Sequence, residues 1–131
     1  MSYWLLKTEP GSYSFADLER ERETRWDGVR NPTALQHIRT MRPGDRCVIY
    51  HSGQERAAIG LATVTTDPYP DPEAGDERMA VVDVRVDDRL PAPVSLATMK
   101  THPSFAGSPL VRLSRLSVVP LTEAQYHAVV G

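Results

Sequence analysis

The 131-residue chain has a single cysteine, Cys47. That excludes a disulfide framework and a multi-cysteine metal site, and it suits a reducing compartment, so a cytoplasmic protein is expected. No apolar stretch approaches membrane-spanning length. The apolar run in the opening "MSYWLLKTEP" is too short for a signal-peptide core and has no basic leader. A soluble chain without membrane contact is expected. The GxSxG elbow, the P-loop, GxGxxG and HExxH are all missing, which removes the common hydrolase, nucleotide, dinucleotide and zinc-protease signatures. His37, His102 and His127 fall in separate segments without ligand spacing, so neither a metal nor another cofactor is expected. Lysine is scarce as well: Lys7 and Lys100 are the only two among 15 basic residues. Arginine suits bidentate phosphate contacts, although genomic base composition produces the same bias.

Net charge is -2, which argues against a protein that coats nucleic acid through bulk positive charge. Its distribution says more. From Arg20 to Arg56 eight arginines face five carboxylates, whereas from Asp67 to Asp88 eight carboxylates face two arginines. The first segment can meet an anion, and the second is expected to turn away from a phosphate backbone.

Along the chain, "SYWLLKTE" alternates Tyr3, Leu5 and Lys7 with Trp4, Leu6 and Thr8, and stops at Pro10-Gly11, as a strand does at a turn. Ser14 caps a helix over "SFADLERERE", which should end before Trp26 and hold Phe15 and Leu18 as its apolar contacts. Asn31-Pro32 starts a second helix, with Ala34, Leu35, Ile38 and Met41 at helical spacing. "RWDGVRN", residues 25 to 31, then reads as the connection between the helices. "RPGD" is a turn, "RCVIYHS" and "AAIGLATVT" are strands that should pair, and Gly60 marks a bulge or a close approach of another segment. "MAVVDVRVD" is a strand, "SLATMK" one or two helical turns, "VRLSRLSVVP" a final strand, and "TEAQYHAVVG" a capped C-terminal helix. These elements describe one α+β domain built on a small curved sheet or partly closed barrel.

Catalytic pairings are few. Cys47 and His51 share a strand face but lie roughly 13 Å apart. Lys7 and Glu9 share a face and admit two readings, an acid–base couple or an edge salt bridge. What remains is a binding set: Trp26 on a loop, Arg30 and Asn31 at a helix N-terminus, Tyr50, His51 and Ser52 at one strand end, and Lys7, Thr8 and Glu9 at another. Helix N-termini favour anions, arginines pair with phosphate and aromatic planes stack on bases, so together they describe a slot for a nucleobase and its phosphate. Two residues admit plainer roles: Trp26 as a core plug between helices, Tyr50 as ordinary strand packing.

The blocks "YWLLKTEP", "WDGVRN", "GDRCVIYHS", "GLATVTTDPYPDP" and "RLSVVPLT" resemble, in order and spacing, the EVE domain family of the PUA-like superfamily. The resemblance covers nearly the whole chain. It implies a pseudo-barrel of curved, mainly antiparallel strands with short peripheral helices, acting as a monomer. It also implies a non-enzymatic module that binds DNA or RNA carrying a modified base, 5-methylcytosine or an oxidised derivative. By that similarity Trp26 would supply a stacking wall, Arg30 and Asn31 would border the pocket, Tyr50, His51 and Ser52 would line it, and Lys7, Thr8, Glu9, Arg115 and Ser117 would contribute. Arg25, Arg30, Arg39 and Arg42 would meet phosphates. A flipped or single-stranded base would stack on Trp26, and Trp26→Ala should remove binding without unfolding the domain. The chain departs from the family where Leu35, Gln36 and His37 replace an Ala-Arg-Asn run, and where Met79 stands near a common tryptophan. Two other classes stay open: a hydrolase of a modified nucleotide using Glu9, Lys7 or His51, and a small-ligand or protein-interaction module.

Overall fold

The computed structural model describes every residue, Met1–Gly131. Thirteen elements follow one another: β1 (Tyr3–Thr8), α1 (Phe15–Glu21), β2 (Glu23–Trp26), α2 (Pro32–Thr40), β3 (Arg46–His51), β4 (Ala57–Val64), β5 (Tyr69–Pro70), β6 (Ala80–Ser95), α3 (Leu96–Thr101), a 3-10 turn (Pro103–Phe105), α4 (Pro109–Arg112), β7 (Val118–Leu121) and α5 (Glu123–Val130). The sheet runs β2-β6-β4-β3-β1-β7, with the short β5 pairing to β6. Every pairing is antiparallel except β1 with β3.

The sheet curls because β6 is long and its register with β4 shifts on both sides of Gly60. Extra residues on one strand of a pair bend it and raise its twist. Gly60 also answers the second half of the expectation made for it: the Phe15 ring occupies the space that a side chain there would need. β2 and β7 end as the two outer strands, and α2 packs against both β6 and β7, spanning the gap between the sheet's ends. One cluster of 33 buried residues fills the interior.

Local signals explain most of the boundaries. Ser14 and Asp17 exchange side-chain and backbone hydrogen bonds in a capping box at α1, and Thr122 and Gln125 do the same at α5. Asn31 Oδ1 accepts the Ala34 N–H at 3.1 Å, with Pro32 filling the first position of α2. The buried Asp45 carboxylate accepts from the Ser2 and Arg42 amides and from the Trp4 indole, each at 3.0 Å, which ties the start of β1 to the turn before β3.

Three expectations need correction. The helix at "SFADLERERE" stops at Glu21, where Arg22 takes a positive φ of 74°, and the chain turns straight into strand β2, so Arg25 and Trp26 are strand residues. "RWDGVRN" is a loop only from Asp27 onward. The final strand contracts to Val118–Leu121, because Pro109 starts the short helix α4 and residues 113 to 116 form a turn closed by the Leu116 N–H on the Leu113 carbonyl. β6, by contrast, runs past the expected "MAVVDVRVD" to Ser95.

Candidate nucleic-acid interface

The largest cavity lies at the seam of the barrel and has a volume of about 510 Å³. That is within the usual range of small-ligand sites, roughly 300–1,000 Å³. Four segments wall it: Lys7 and Thr8 at the end of β1, Ser12 and Tyr13 in the turn before α1, Thr24 to Trp26 of β2 with the following Asp27, Gly28 and Val29, and Ser117 just before β7. Gly28 has a φ of +77°, a backbone state that glycine adopts without strain, and it turns the chain away from β2.

The aromatic part of the wall is a pair. Trp26 lies opposite Val82 in the β2–β6 ladder and is only 6% exposed, and the Tyr13 ring meets it edge-on at 6.2 Å and 86°. Tyr13 is itself fixed: its carbonyl accepts from the Thr8 hydroxyl at 2.6 Å and its own hydroxyl donates to Glu21. Burial first, and then that carboxylate, push the Tyr13 hydroxyl up to about 12. Trp26 is therefore a core residue with a small face left on the cavity, not an indole displayed on a loop.

Both the polar wall and the main chain offer free groups. In the β2–β6 ladder the Val86 N–H bonds the Arg22 carbonyl at 2.8 Å. Antiparallel alternation then directs the N–H and C=O of Arg25 to the outer edge of β2, beside the cavity. Lys7 has no carboxylate in ion-pair range; its Nζ donates to the Ser114 carbonyl at 2.9 Å and lies 5.8 Å from the centre of the Tyr50 ring. Burial holds its ammonium below the ordinary lysine value. A half-buried cation satisfied only by a carbonyl and a ring keeps its charge available to an anion.

Of the residues expected from sequence, Lys7, Thr8, Trp26, Arg25 and Ser117 meet at this cavity. The others lie elsewhere. Tyr50 is buried within the sheet beneath Lys7. His51 is buried too, and both ring nitrogens are occupied: Nε2 accepts the Phe15 N–H at 3.0 Å and Nδ1 lies 2.7 Å from a Glu55 carboxylate oxygen. It is held inside because the first turn of α1 needs an acceptor there. Ser52 donates its backbone N–H to the Thr8 carbonyl, and Glu9 accepts the Gly11 N–H instead of pairing with Lys7. Asn31 is committed as a helix cap; it shares with Arg115 a second, shallower hollow of about 390 Å³. Arg30 borders a small hollow beside Asp71 and Met79.

The arginines assigned to phosphate are largely engaged by the protein itself. Arg25 contacts Asp71 at 3.4 Å and Glu73 at 3.3 Å, and the Tyr69 hydroxyl and these carboxylates hold its guanidinium above the ordinary arginine value. Arg39 donates to the Arg78 carbonyl, and Arg42 to the Met41 and Arg39 carbonyls. The acidic segment is thus not wholly remote: its 71–73 end reaches the rim of the cavity through Arg25. Sequence reasoning passed over Ser12, Tyr13, Thr24, Asp27, Gly28 and Val29. An aromatic residue directly before the Ser14 cap was the available sign for Tyr13.

Comparison with known proteins places this geometry. The model of the EVE domain matches residues 2–131. Human thymocyte nuclear protein 1 is 29% identical over 164 aligned residues, spanning 99% of this chain and 73% of that protein. An X-ray structure of a protein from Agrobacterium tumefaciens superposes with a TM-score of 0.93 at 37% identity, covering 99% of this chain and 91% of the other. Human THYN1, crystallised in complex with DNA containing 5-methylcytosine, superposes with a TM-score of 0.84 at 29% identity, covering 99% and 96%.

Proposed function

Because the chain belongs to the EVE domain family, whose PUA-like pseudo-barrel it shares, we propose that it is a nucleic-acid binding module that takes a modified cytosine base into the seam cavity. The observation that carries this reading is the cavity itself. It is large enough for a base, walled by Trp26 and Tyr13, edged by the free main chain of Arg25, and overlooked by the ammonium of Lys7. A relative of the same fold has been crystallised with DNA containing 5-methylcytosine.

In this reading the base slides between Tyr13 and the β2 edge, rests on the exposed part of Trp26, and is read by backbone groups and by the Ser12 and Ser117 hydroxyls. Lys7 meets the phosphate or a base oxygen. The reading takes binding without catalysis, in keeping with Lys7 and Glu9 being uncoupled and His51 being held in the core.

The test is fluorescence-polarisation binding to short DNA and RNA strands carrying cytosine, 5-methylcytosine or 5-hydroxymethylcytosine, with wild-type protein and Lys7→Met. Tighter binding to a modified strand, weakened in Lys7→Met and by salt, supports the reading. Saturable binding of a free modified nucleoside with no affinity for any strand would replace it with a small-ligand role.

A further inference from the structure

The turn beside the cavity carries a feature that base binding alone does not use. Leu113 is 46% exposed and, apart from Met1 at the chain end, is the one large hydrophobic side chain presented to solvent. It sits in "RLSR", four consecutive exposed residues, between Arg112 and Arg115. The segment is rigidly held. The Leu113 N–H bonds the Pro109 carbonyl at 2.8 Å, the Leu116 N–H closes the turn on the Leu113 carbonyl at 3.0 Å, and Leu116 is anchored in the core. The Ser114 carbonyl between them accepts from Lys7, so this turn stands at the mouth of the base cavity. Arg115 has no carboxylate in ion-pair range, and Arg112 spends only its Nε, on the Gly107 carbonyl.

We propose that Leu113 is a wedge that enters the base stack of a duplex and fills the gap left when the target base moves into the seam cavity, while Arg112 and Arg115 hold the phosphates on either side. This inference rests on the base-binding reading and deepens it from single strands to duplex. A vacated position in a duplex is apolar above and below and bordered by phosphates. An apolar side chain flanked by two free guanidiniums on a fixed turn matches that surround. Position supports the same side of approach. The rim at Arg25 is backed by Asp71 and Glu73 and repels a backbone, whereas the hollow lined by Arg112 to Leu116 carries no carboxylate.

The experiment compares wild type, Leu113→Ser, Leu113→Phe and Arg112→Ala/Arg115→Ala on a 5-methylcytosine single strand and on the matching duplex. The duplex carries 2-aminopurine next to the target to report unstacking. Expected for Leu113→Ser is a loss of duplex affinity of about tenfold and of the 2-aminopurine signal, with single-strand affinity unchanged and Leu113→Phe restoring both. The double arginine variant should lower the salt slope of duplex binding by about two. Equal duplex binding by Leu113→Ser and wild type overturns the wedge and leaves base binding standing. So does equal loss on both substrates, or a wild type that binds the strand and not the duplex. A folded wild type that binds neither removes the base-binding reading, and the wedge with it.

Discussion

Replacing Trp26 with alanine is the mutation the sequence itself suggests, and the structure changes what it should do. An indole on a loop would be lost at little cost to stability. Trp26 is instead 6% exposed, part of the central cluster, and the last residue of the strand that walls the cavity. Removing a buried tryptophan side chain costs about 3–5 kcal/mol, from lost transfer free energy and from the space left behind. Against a typical stability of roughly 5–15 kcal/mol, that is a large share. At roughly 2–4 °C per kcal/mol, the melting temperature should fall by about 6–20 °C. Thermal and urea unfolding followed by circular dichroism measure this directly. A shift within roughly 0.5 kcal/mol, as for a surface substitution, would refute the burial argument and restore the picture of a displayed indole. The consequence for binding work is practical: loss of affinity in Trp26→Ala reports unfolding as much as a missing stack, so Lys7 and Tyr13 are the better probes.

Two further outcomes follow from the site's surroundings. His51→Leu leaves the buried Phe15 N–H without its acceptor, which should cost about 1–3 kcal/mol and raise amide exchange first at the start of α1; unchanged exchange there would show that the imidazole is dispensable. Tyr13 has its folded-state value raised to about 12 from an ordinary 10, so the stability tied to its neutral hydroxyl is present below pH 10 and lost as pH rises through about 12. Denaturation midpoints of wild type and Tyr13→Phe should therefore draw together over that window. Tyr50, Tyr69 and Tyr126 are shifted the same way, but they titrate in both proteins and leave the difference intact; parallel curves would contradict the assignment.

The sequence made the fold legible wherever chemistry is local. Ser14, Asn31 and Thr122 announced their helices because a capping side chain answers to backbone amides two or three residues away. Alternation revealed β1, β3 and β4 for the same reason. The site was harder, since its walls come from four distant segments and each residue's role depends on what it meets across the fold. Lys7 and Thr8 were found because they end a strand, Trp26 because an indole stands out in a polar run, and Ser117 only through the family resemblance. His51 misled because an imidazole at a strand end looks the same from sequence whether it faces a cavity or the first turn of a helix 36 residues earlier. Arg25 misled likewise, for its partner Asp71 lies 46 residues downstream, while Arg39 and Arg42 turn to main-chain carbonyls. β2 went unseen because four residues leave no periodicity to read, and only its pairing with β6 makes it a strand.

What the cavity can distinguish follows from which of its groups remain free. A methyl group moved from water into an apolar niche gains about 0.8 kcal/mol, near fourfold in affinity, so 5-methylcytosine should be preferred over cytosine only modestly. A hydroxymethyl group gains less from burial and must find a hydrogen-bond partner, or it pays the cost of an unmet polar group, about 1–3 kcal/mol. Of the four serine and threonine hydroxyls on the wall, Thr8 is bonded to the Tyr13 carbonyl and Thr24 lies beside the Tyr13 hydroxyl. Ser12 and Ser117 hold no side-chain bond and also line the space. With those two available the oxidised base loses nothing on entry, and its affinity should equal or exceed that of the methylated one. Stacking does not alter this order. The exposed part of Trp26 is small, so the stack returns less than the ~1–3 kcal/mol of a full aromatic platform, below the few kcal/mol needed to extract a base from a duplex. Duplex binding must then draw its remaining free energy from outside the cavity, and the basic turn from Arg112 to Arg115 offers charge that is not met by the protein's own carboxylates.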